Sequence, residues 1–461
     1  MTIWTPSSLN PALPKYKALA EAIAQAVDQG QLPPGHKLPT QRALADLLGV
    51  TVGTVTRAYA EAEKQKLIEC RVGSGTFVKQ VSISDFDSTV DSGDAIDLSY
   101  SFAVDVDQNT LLASQLSQLA CQPNQLKALL QYQAGAGFSQ HLAAAEQWLT
   151  ITGVATPEVD NLLITNGGQH GFYCAVAALC RAGDTVLSPK LTYPGFSQLA
   201  QQMGLRHVGL DTDQQGITEQ SFALACQRYQ PRAVYLNPRS NNPSCEQMSQ
   251  TRIDAIAELA RLHQVTIIED DVQGCLMSKT LPCFVNSHRD ITCYVSSTSK
   301  ALAGGLRVGY LLAPAKLKRA VTAALRASCW MPAPLMVEIA SRWISDGTAQ
   351  RIMELQRWEL GARHRMLAEQ LQGWPFTAST NGFNVWLALP EPRRAQEFCQ
   401  SLRNQGVHTK PSTAFAVGHS DAGQALRLCV GGSTSRTDLR TALSIIGQEL
   451  QQAGAEFDLS H

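Results

Sequence analysis

Ser296-Ser-Thr-Ser-Lys-Ala-Leu-Ala-Gly-Gly-Leu-Arg-Val-Gly-Tyr310 is the stretch on which the reading of this chain turns. Cys293-Tyr-Val-Ser296 is apolar and β-branched enough to form a strand. That places Lys300 just past the strand, ringed by the hydroxyls of Ser297, Thr298 and Ser299, with Arg307 seven residues on. A single lysine in such a place is usually a surface charge. Two further strand ends carry chemistry. In Ile267-Ile-Glu-Asp-Asp-Val272, Asp270 lies past an apolar run, where a carboxylate serves equally well as a helix cap. Thr165-Asn-Gly-Gly-Gln-His-Gly171 ends the strand Leu162-Leu-Ile-Thr165 and leads into a helix predicted over Phe172–Arg181. Glycines let the backbone approach a ligand closely, and free N–H groups at a helix start favour an anion such as phosphate. The same turn is, more commonly, an ordinary helix start.

Thr185-Val-Leu-Ser, Ala233-Val-Tyr-Leu and Val265-Thr-Ile-Ile are further strands, with helical patterns between most of them. Such alternation predicts an α/β fold with a mainly parallel sheet covered by helices, which binds ligands at its strand ends. A lysine, a separate carboxylate and a phosphate cradle with hydroxyls and an arginine are what pyridoxal 5′-phosphate requires. The amine forms a Schiff base, and the carboxylate keeps the pyridine nitrogen protonated so that the ring accepts electrons.

The order phosphate turn, Asn-Pro, Asp, Ser-x-x-Lys resembles the fold-type I aminotransferases over about residues 97–455. The resemblance implies a large lobe around the sheet and a smaller α+β lobe. It makes Lys300 the Schiff-base lysine and Asp270 the pyridinium partner. Gly168, Gln169, Ser297, Ser299 and Arg307 then hold the phosphate. Tyr193, in Thr192-Tyr-Pro-Gly, matches the aromatic residue stacked on the ring. Asn242, in Asn241-Asn-Pro-Ser, matches the asparagine on the phenolic oxygen. Tyr132 resembles the tyrosine lent to the phosphate by the other subunit, and Arg427 the arginine that clamps an α-carboxylate. There are departures. Val272 stands where relatives often have a tyrosine, Ser244-Cys245 replaces Thr-Gly, Gly304 replaces a proline and Ser188 an acidic residue. These predict intact cofactor binding and weak or vestigial transamination.

The first eighty residues read differently. Leu19, Ile23 and Val27 recur at helical spacing from about Lys15 to Gln29. Thr40 is a candidate cap for a helix to Leu48, Gly49 makes a tight break, and a second helix runs from about Thr51 to Lys64 with Val55 and Tyr59 inward. Leu67-Ile-Glu-Cys-Arg-Val and Thr76-Phe-Val flank Gly73-Ser-Gly75 as a hairpin, which completes a winged helix. The second helix of such a pair enters the DNA major groove. Thr51, Val52, Gly53, Thr54 and Thr56 are therefore placed to meet bases, while Arg42, Lys37, Arg57 and Arg71 reach phosphates or bases. Helix-turn-helix spacing alone also fits a protein-interaction module. Leu38-Pro-Thr-Gln-Arg-Ala-Leu-Ala, Thr54-Val-Thr-Arg-Ala-Tyr and Gly73-Ser-Gly-Thr-Phe-Val resemble the GntR-type DNA-binding domain over nearly its full length. Val52 departs from an arginine common there, which shifts more of the readout to Arg42.

Charge separates the two parts. The whole 461-residue chain carries −1, but residues 1–80 hold nine Lys+Arg against six Asp+Glu, and the remainder is acidic. The total excludes a uniformly basic nucleic-acid binder, and 44% hydrophobic content excludes a mainly disordered chain. No basic residue occurs between Lys79 and Lys127, and residues 80–96 read as a flexible acidic linker. Predicted domains are thus 12–79, the linker, and 97–455. Twelve scattered cysteines without C-x-x-C pairs or clustered histidines read as reduced core thiols in the cytoplasm, and no metal site is expected. No apolar run is long enough to span a bilayer.

A GntR-like head followed by an aminotransferase-like body resembles the MocR family of bacterial transcriptional regulators. The resemblance implies a homodimer that binds double-stranded DNA half-sites, carries pyridoxal 5′-phosphate and senses an amine or amino acid. The alternative is a functional aminotransferase with an accessory DNA-binding domain.

Overall fold

Leu19 and Ile23, four residues apart, are both buried on one side of the first helix, α1 (Lys15–Asp28). Helix α2 (Gln41–Leu48) begins where Thr40 Oγ1 accepts the Ala43 N–H at 3.3 Å. It stops at Gly49, whose φ of 61° is a left-handed conformation costly for any residue with a Cβ. Helix α3 (Val52–Lys64) starts one residue later than predicted, because Thr51 stands before it and its Oγ1 accepts the Thr54 N–H at 3.2 Å. Thr56 Oγ1 donates to Gln41 Oε1 at 2.7 Å and Tyr59 donates to the Pro39 carbonyl at 2.8 Å, which fixes α3 against α2. Val55, Ala58, Tyr59 and Ala62 face inward toward Leu44 and Ile23. Strands β1 (Ile68–Arg71) and β2 (Gly75–Val78) pair antiparallel, and Lys37 bridges to Phe77 at their edge. Three helices and a hairpin make a winged helix.

The chain is described by a computed structural model that covers it apart from residues 1–3, 7–8, 12, 29–30, 33–34, 65–66, 72–74, 79–94, 133–136, 391–392, 419, 433–434 and 459–461. It falls into two units, Met1–Ser92 and Gly93–His461. Residues 80–94 of the predicted linker lie outside the described residues. Its last residue, Ile96, already belongs to the strand Ile96–Asp97, which pairs with Val407–His408.

The second unit is built on a seven-stranded sheet. Its spatial order is Leu162–Thr165, Gly309–Leu312, Thr292–Ser297, Thr266–Asp270, Ala233–Leu236, Thr185–Pro189, Arg206–Leu210. Gly309–Leu312 runs antiparallel to both neighbours and the other pairings are parallel. Side chains alternate across a strand. Tyr235 and Ile268 accordingly join a cluster with Phe172, Phe196 and Val295 on one face, and Val234 and Ile267 join Phe222, Ile253 and Ile256 on the other. With both faces covered, the strands read as short continuous apolar runs. A smaller antiparallel sheet, ordered Phe376–Ala378, Asn384–Ala388, Ala425–Cys429, Lys410–Pro411, forms the second lobe. The long helix Thr348–Gln370 packs against the C-terminal helix beside it.

The helix predicted from Phe172 begins five residues earlier, spanning Gly167–Leu179. The glycines are part of its first turn rather than a loop before it. All twelve cysteines are free thiols; eight are buried, while Cys70 and Cys121 are exposed and so lie outside the predicted core. Among the described residues no helix is long and apolar enough to cross a membrane, and no cluster of metal-ligating side chains occurs.

Candidate functional site

Parallel strands deliver their C-terminal ends to one edge of the sheet, and Asp270 and Lys300 meet there. Asp270 closes Thr266–Asp270, and its Oδ1 accepts the Val272 N–H at 2.9 Å while the Tyr235 hydroxyl donates to Oδ2. Burial pushes its carboxyl up to about 6, against the opposing pull of the Tyr235 hydroxyl. Lys300 follows Thr292–Ser297, and its ammonium donates to the Ser101 carbonyl. Burial pushes the amine down to about 8, with the Asp270 charge acting the other way. Tyr193 sits over Gly195 so closely that a Cβ there would lie 2.4 Å from its Cζ. Burial and the nearby Asp270 charge hold its hydroxyl above the ordinary phenol range.

The glycine turn supplies the anion side. Helix Gly167–Leu179 has no side-chain cap at Asn166, so its first N–H groups lack the partner that a capping residue gives. A Cβ on Gly167 would lie 2.6 Å from the Arg307 guanidinium, and one on Gly168 would lie 2.6 Å from Val272 Cγ2. Arg307 Nη2 donates to the Asn166 carbonyl at 3.3 Å, so the arginine is folded over this turn. Ser297 donates to Ser299 Oγ at 2.9 Å beside it. Gln169 Nε2 donates to the Gly195 carbonyl at 2.8 Å, which leaves its Oε1 buried and unpartnered.

On the opposite side, Arg427 comes from the smaller lobe's strand Ala425–Cys429. Its Nη1 donates to Asn242 Oδ1 at 3.2 Å, its Nη2 to the Ser99 carbonyl, and the guanidinium lies 4.8 Å from the Phe415 ring centroid. Its Nε is buried with no acceptor. Tyr132 is 84% exposed and packs edge-on against Trp330, on the surface of the protomer.

Sequence reasoning missed Tyr235, the Ser99 and Ser101 carbonyls, and Phe415. Tyr235 reaches Asp270 only because Ile268 pairs with Tyr235 across neighbouring strands, a long-range register with no local signal. Cys245 is also informative: it holds φ of 67° at the position where the family pattern has glycine, with its Sγ toward the Asn384 carbonyl at 3.3 Å.

In the winged helix, Arg42, Thr51, Val52, Gly53, Thr56 and Arg57 are exposed and Thr54 half-buried. Thr51 and Thr54 hydroxyls bond one another at 2.9 Å, and the single Thr56 hydroxyl proton is shared between Gln41 Oε1 at 2.7 Å and the Val52 carbonyl at 3.0 Å. Of that predicted threonine set, all three hydroxyls are therefore engaged within the helix pair. The side chain of Arg71 lies outside the described residues.

A buried amine of lowered basicity, a neighbouring carboxylate, an unfilled carbonyl on Gln169 and a glycine cradle under an arginine all fit pyridoxal 5′-phosphate. Fold and site thus define a fold-type I aminotransferase-like protein with a winged helix ahead of it. Residues 106–446 match the aminotransferase class I and II family and residues 15–78 the gntR family of bacterial regulatory proteins. The chain belongs to the aminotransferase class I and II family, in the MocR-type arrangement that joins it to a GntR head. It is 28% identical over 445 residues to the HTH-type transcriptional regulator YdeF of Bacillus subtilis, covering 96% of each chain. It is 28% identical over 478 residues to the regulator YjiR of Escherichia coli, covering 95% of this chain and 99% of that one. Among solved structures, an archaeal alanine:glyoxylate aminotransferase superposes with a TM-score of 0.70 at 19% identity, over 78% of this chain and 91% of that one.

Proposed function

We propose that this protein is a transcriptional regulator that binds double-stranded DNA through its winged helix and senses an amine or amino acid at a pyridoxal 5′-phosphate site. The observation that carries the reading is the presence in one chain of an exposed GntR-type helix and a Lys300–Asp270–Arg427 site. When bound, pyridoxal 5′-phosphate supplies an electrophilic carbonyl conjugated to a ring that accepts electrons. Lys300 brings the amine that engages that carbonyl, about half of it unprotonated near pH 8. Asp270 holds the proton at the ring nitrogen, and Tyr193 covers the ring face. Gly168, Gln169, Ser297, Ser299 and Arg307 receive the phosphate, and Asn242 meets the ring oxygen. Arg427 orients a ligand carboxylate through the planar fork that suits it. The sensing site then shifts a conformational equilibrium only as far as the ligand binds its states differently.

The domain limits in this reading are 12–79 for the head and 97–455 for the body, with residues 80–96 joining them. The protein acts as a cytoplasmic homodimer. Support for the dimer comes from the exposed Tyr132 and Trp330, whose rings meet edge-on, in keeping with a tyrosine lent across an interface.

The second reading, a working aminotransferase, draws on the same lysine and carboxylate. Val272 favours the regulator: its methyl groups fill the space against Gly168 where relatives often place a phenol. The deciding experiment pairs two assays on the purified protein, binding to the DNA upstream of its own gene and turnover of amino and keto acids. The regulator reading expects binding with negligible turnover; ordinary turnover without DNA binding rejects it. Within that assay, Arg42→Ala is expected to weaken specific binding by about 1–3 kcal/mol if Arg42 contacts a base edge. Unchanged affinity for the operator would remove Arg42 from the contact set.

A further inference from the structure

The second unit contains a cavity at the seam between its two lobes, lined by none of the residues assigned above to the Lys300 site. Its volume is about 460 Å³, within the range of small-molecule sites. The large lobe contributes Leu276, Met277, Lys279 and Leu281, from the chain that follows Asp270. The far wall is Arg357 on helix Thr348–Gln370 and Asn381 in the loop between the smaller lobe's first two strands. Two cations therefore line a cavity whose remaining wall combines the apolar Leu276, Met277 and Leu281 with the neutral polar Gln247, Ser278, Thr380 and Asn381.

Neither cation has a carboxylate within 4.0 Å among the described residues, whereas elsewhere in this unit arginines such as Arg239, Arg261, Arg342 and Arg363 are paired. Arg357 uses Nε and Nη2 on the carbonyls of Leu276 and Cys275, at 3.0 and 3.2 Å, which anchors the guanidinium and leaves its charge uncompensated. Lys279 is exposed and lines the cavity edge. An anchored arginine, an exposed lysine and the apolar side chains of Leu276, Met277 and Leu281 complement an anion with an apolar body. Two positive charges and no acid favour a carboxylate over any neutral or basic group.

We infer that this seam is a second small-molecule site, which takes a monocarboxylate with a short alkyl or aryl body. The inference does not depend on Lys300 carrying a cofactor. The ligand bridges the segment 276–281 of the large lobe and residue 381 of the smaller one. Beside these residues, Asn384 Nδ2 donates to Gln273 Oε1 at 3.1 Å, three residues before the segment, and Asn384 Oδ1 accepts from Ser101 Oγ at 2.8 Å. Ser101 is also the residue whose carbonyl receives Lys300.

The test is isothermal titration calorimetry of the full-length holoprotein with hexanoate, and with hexanamide as the uncharged control. Hexanoate is expected to bind and hexanamide not to. Lys279→Glu is expected to weaken hexanoate by about tenfold or more, the equivalent of one charge-assisted contact. Lys279→Gln, which removes the charge without reversing it, should fall between that variant and the unchanged protein. Three results overturn the inference: no hexanoate binding at millimolar concentrations, equal binding of hexanamide, or binding kept in Lys279→Glu but lost in Arg427→Leu. The last outcome assigns the anion to the Arg427 site instead.

Discussion

Lys300 is the residue at which burial changes chemistry most directly. An exposed lysine amine is almost wholly protonated at neutral pH and cannot attack a carbonyl, whereas this one titrates at about 8 in place of its ordinary 10.5. Depression of a base lowers the pH at which its neutral form appears. The rate of pyridoxal 5′-phosphate uptake by cofactor-free protein should therefore rise with pH through a midpoint near 8 and level off about one to two units above it. Stopped-flow absorbance at a series of pH values measures it, and a midpoint near 10.5 would contradict the burial argument. Gly167 is the second such residue. A methyl group there meets Arg307 at 2.6 Å and takes a left-handed φ of 76°. Gly167→Ala is expected to weaken the cofactor about tenfold by displacing the arginine, with far-UV circular dichroism unchanged. Lys300, Asp270 and the glycine turn were legible in the sequence because each follows an apolar run that must end at the sheet edge. Tyr235 was not, since nothing within its own strand tells which neighbour it pairs with.

Helix α2 ends and α3 begins within a few residues, and the angle between them rests on Gly49. At its φ of 61° a methyl group would meet no other atom within 4 Å, so the cost of a side chain is backbone conformation alone. Gly49→Ala should destabilise the winged helix by about 1–2 kcal/mol, with Gly49→Asn costing less because Asn visits that region more readily. Urea unfolding followed by the circular dichroism of the full-length protein reports both. The elements were mostly legible: the strands Leu162–Thr165 and Ala233–Leu236 fall where the β-branched runs predict them. The start of helix Gly167–Leu179 was not, because a glycine-rich first turn has low helix propensity and is held by the packing of Gly168 and Gly171 on Val272 and Val295. Close approach decided that boundary. Propensity alone pointed the other way.

For the molecule as a whole, Tyr132 offers a test of assembly. It is 84% exposed in the protomer, where an aromatic residue of that size has little reason to be. If it completes the phosphate site of a second copy, Tyr132→Ala lowers cofactor affinity while leaving the protomer's own fold intact. Mixing Tyr132→Ala with Lys300→Ala protein should then restore one full-affinity site per heterodimer, because each protomer supplies what the other lacks. Equilibrium dialysis of the mixture measures it; no recovery would mean that Tyr132 acts within its own chain or not at all.

The strand Gly309–Leu312 runs against its neighbours and lies between the strand that leads to Lys300 and the strand that ends in the glycine turn. Strands in a sheet stand about 4.8 Å apart, so the interposed strand sets those two chain ends roughly 10 Å from each other. The sheet is in that sense a ruler. Its tolerance is fixed by Gly309, where a single methyl would come within 2.5 Å of the Gly167 backbone. What the site admits is thus gauged first by length, through backbone spacing that no change of lining side chain can adjust.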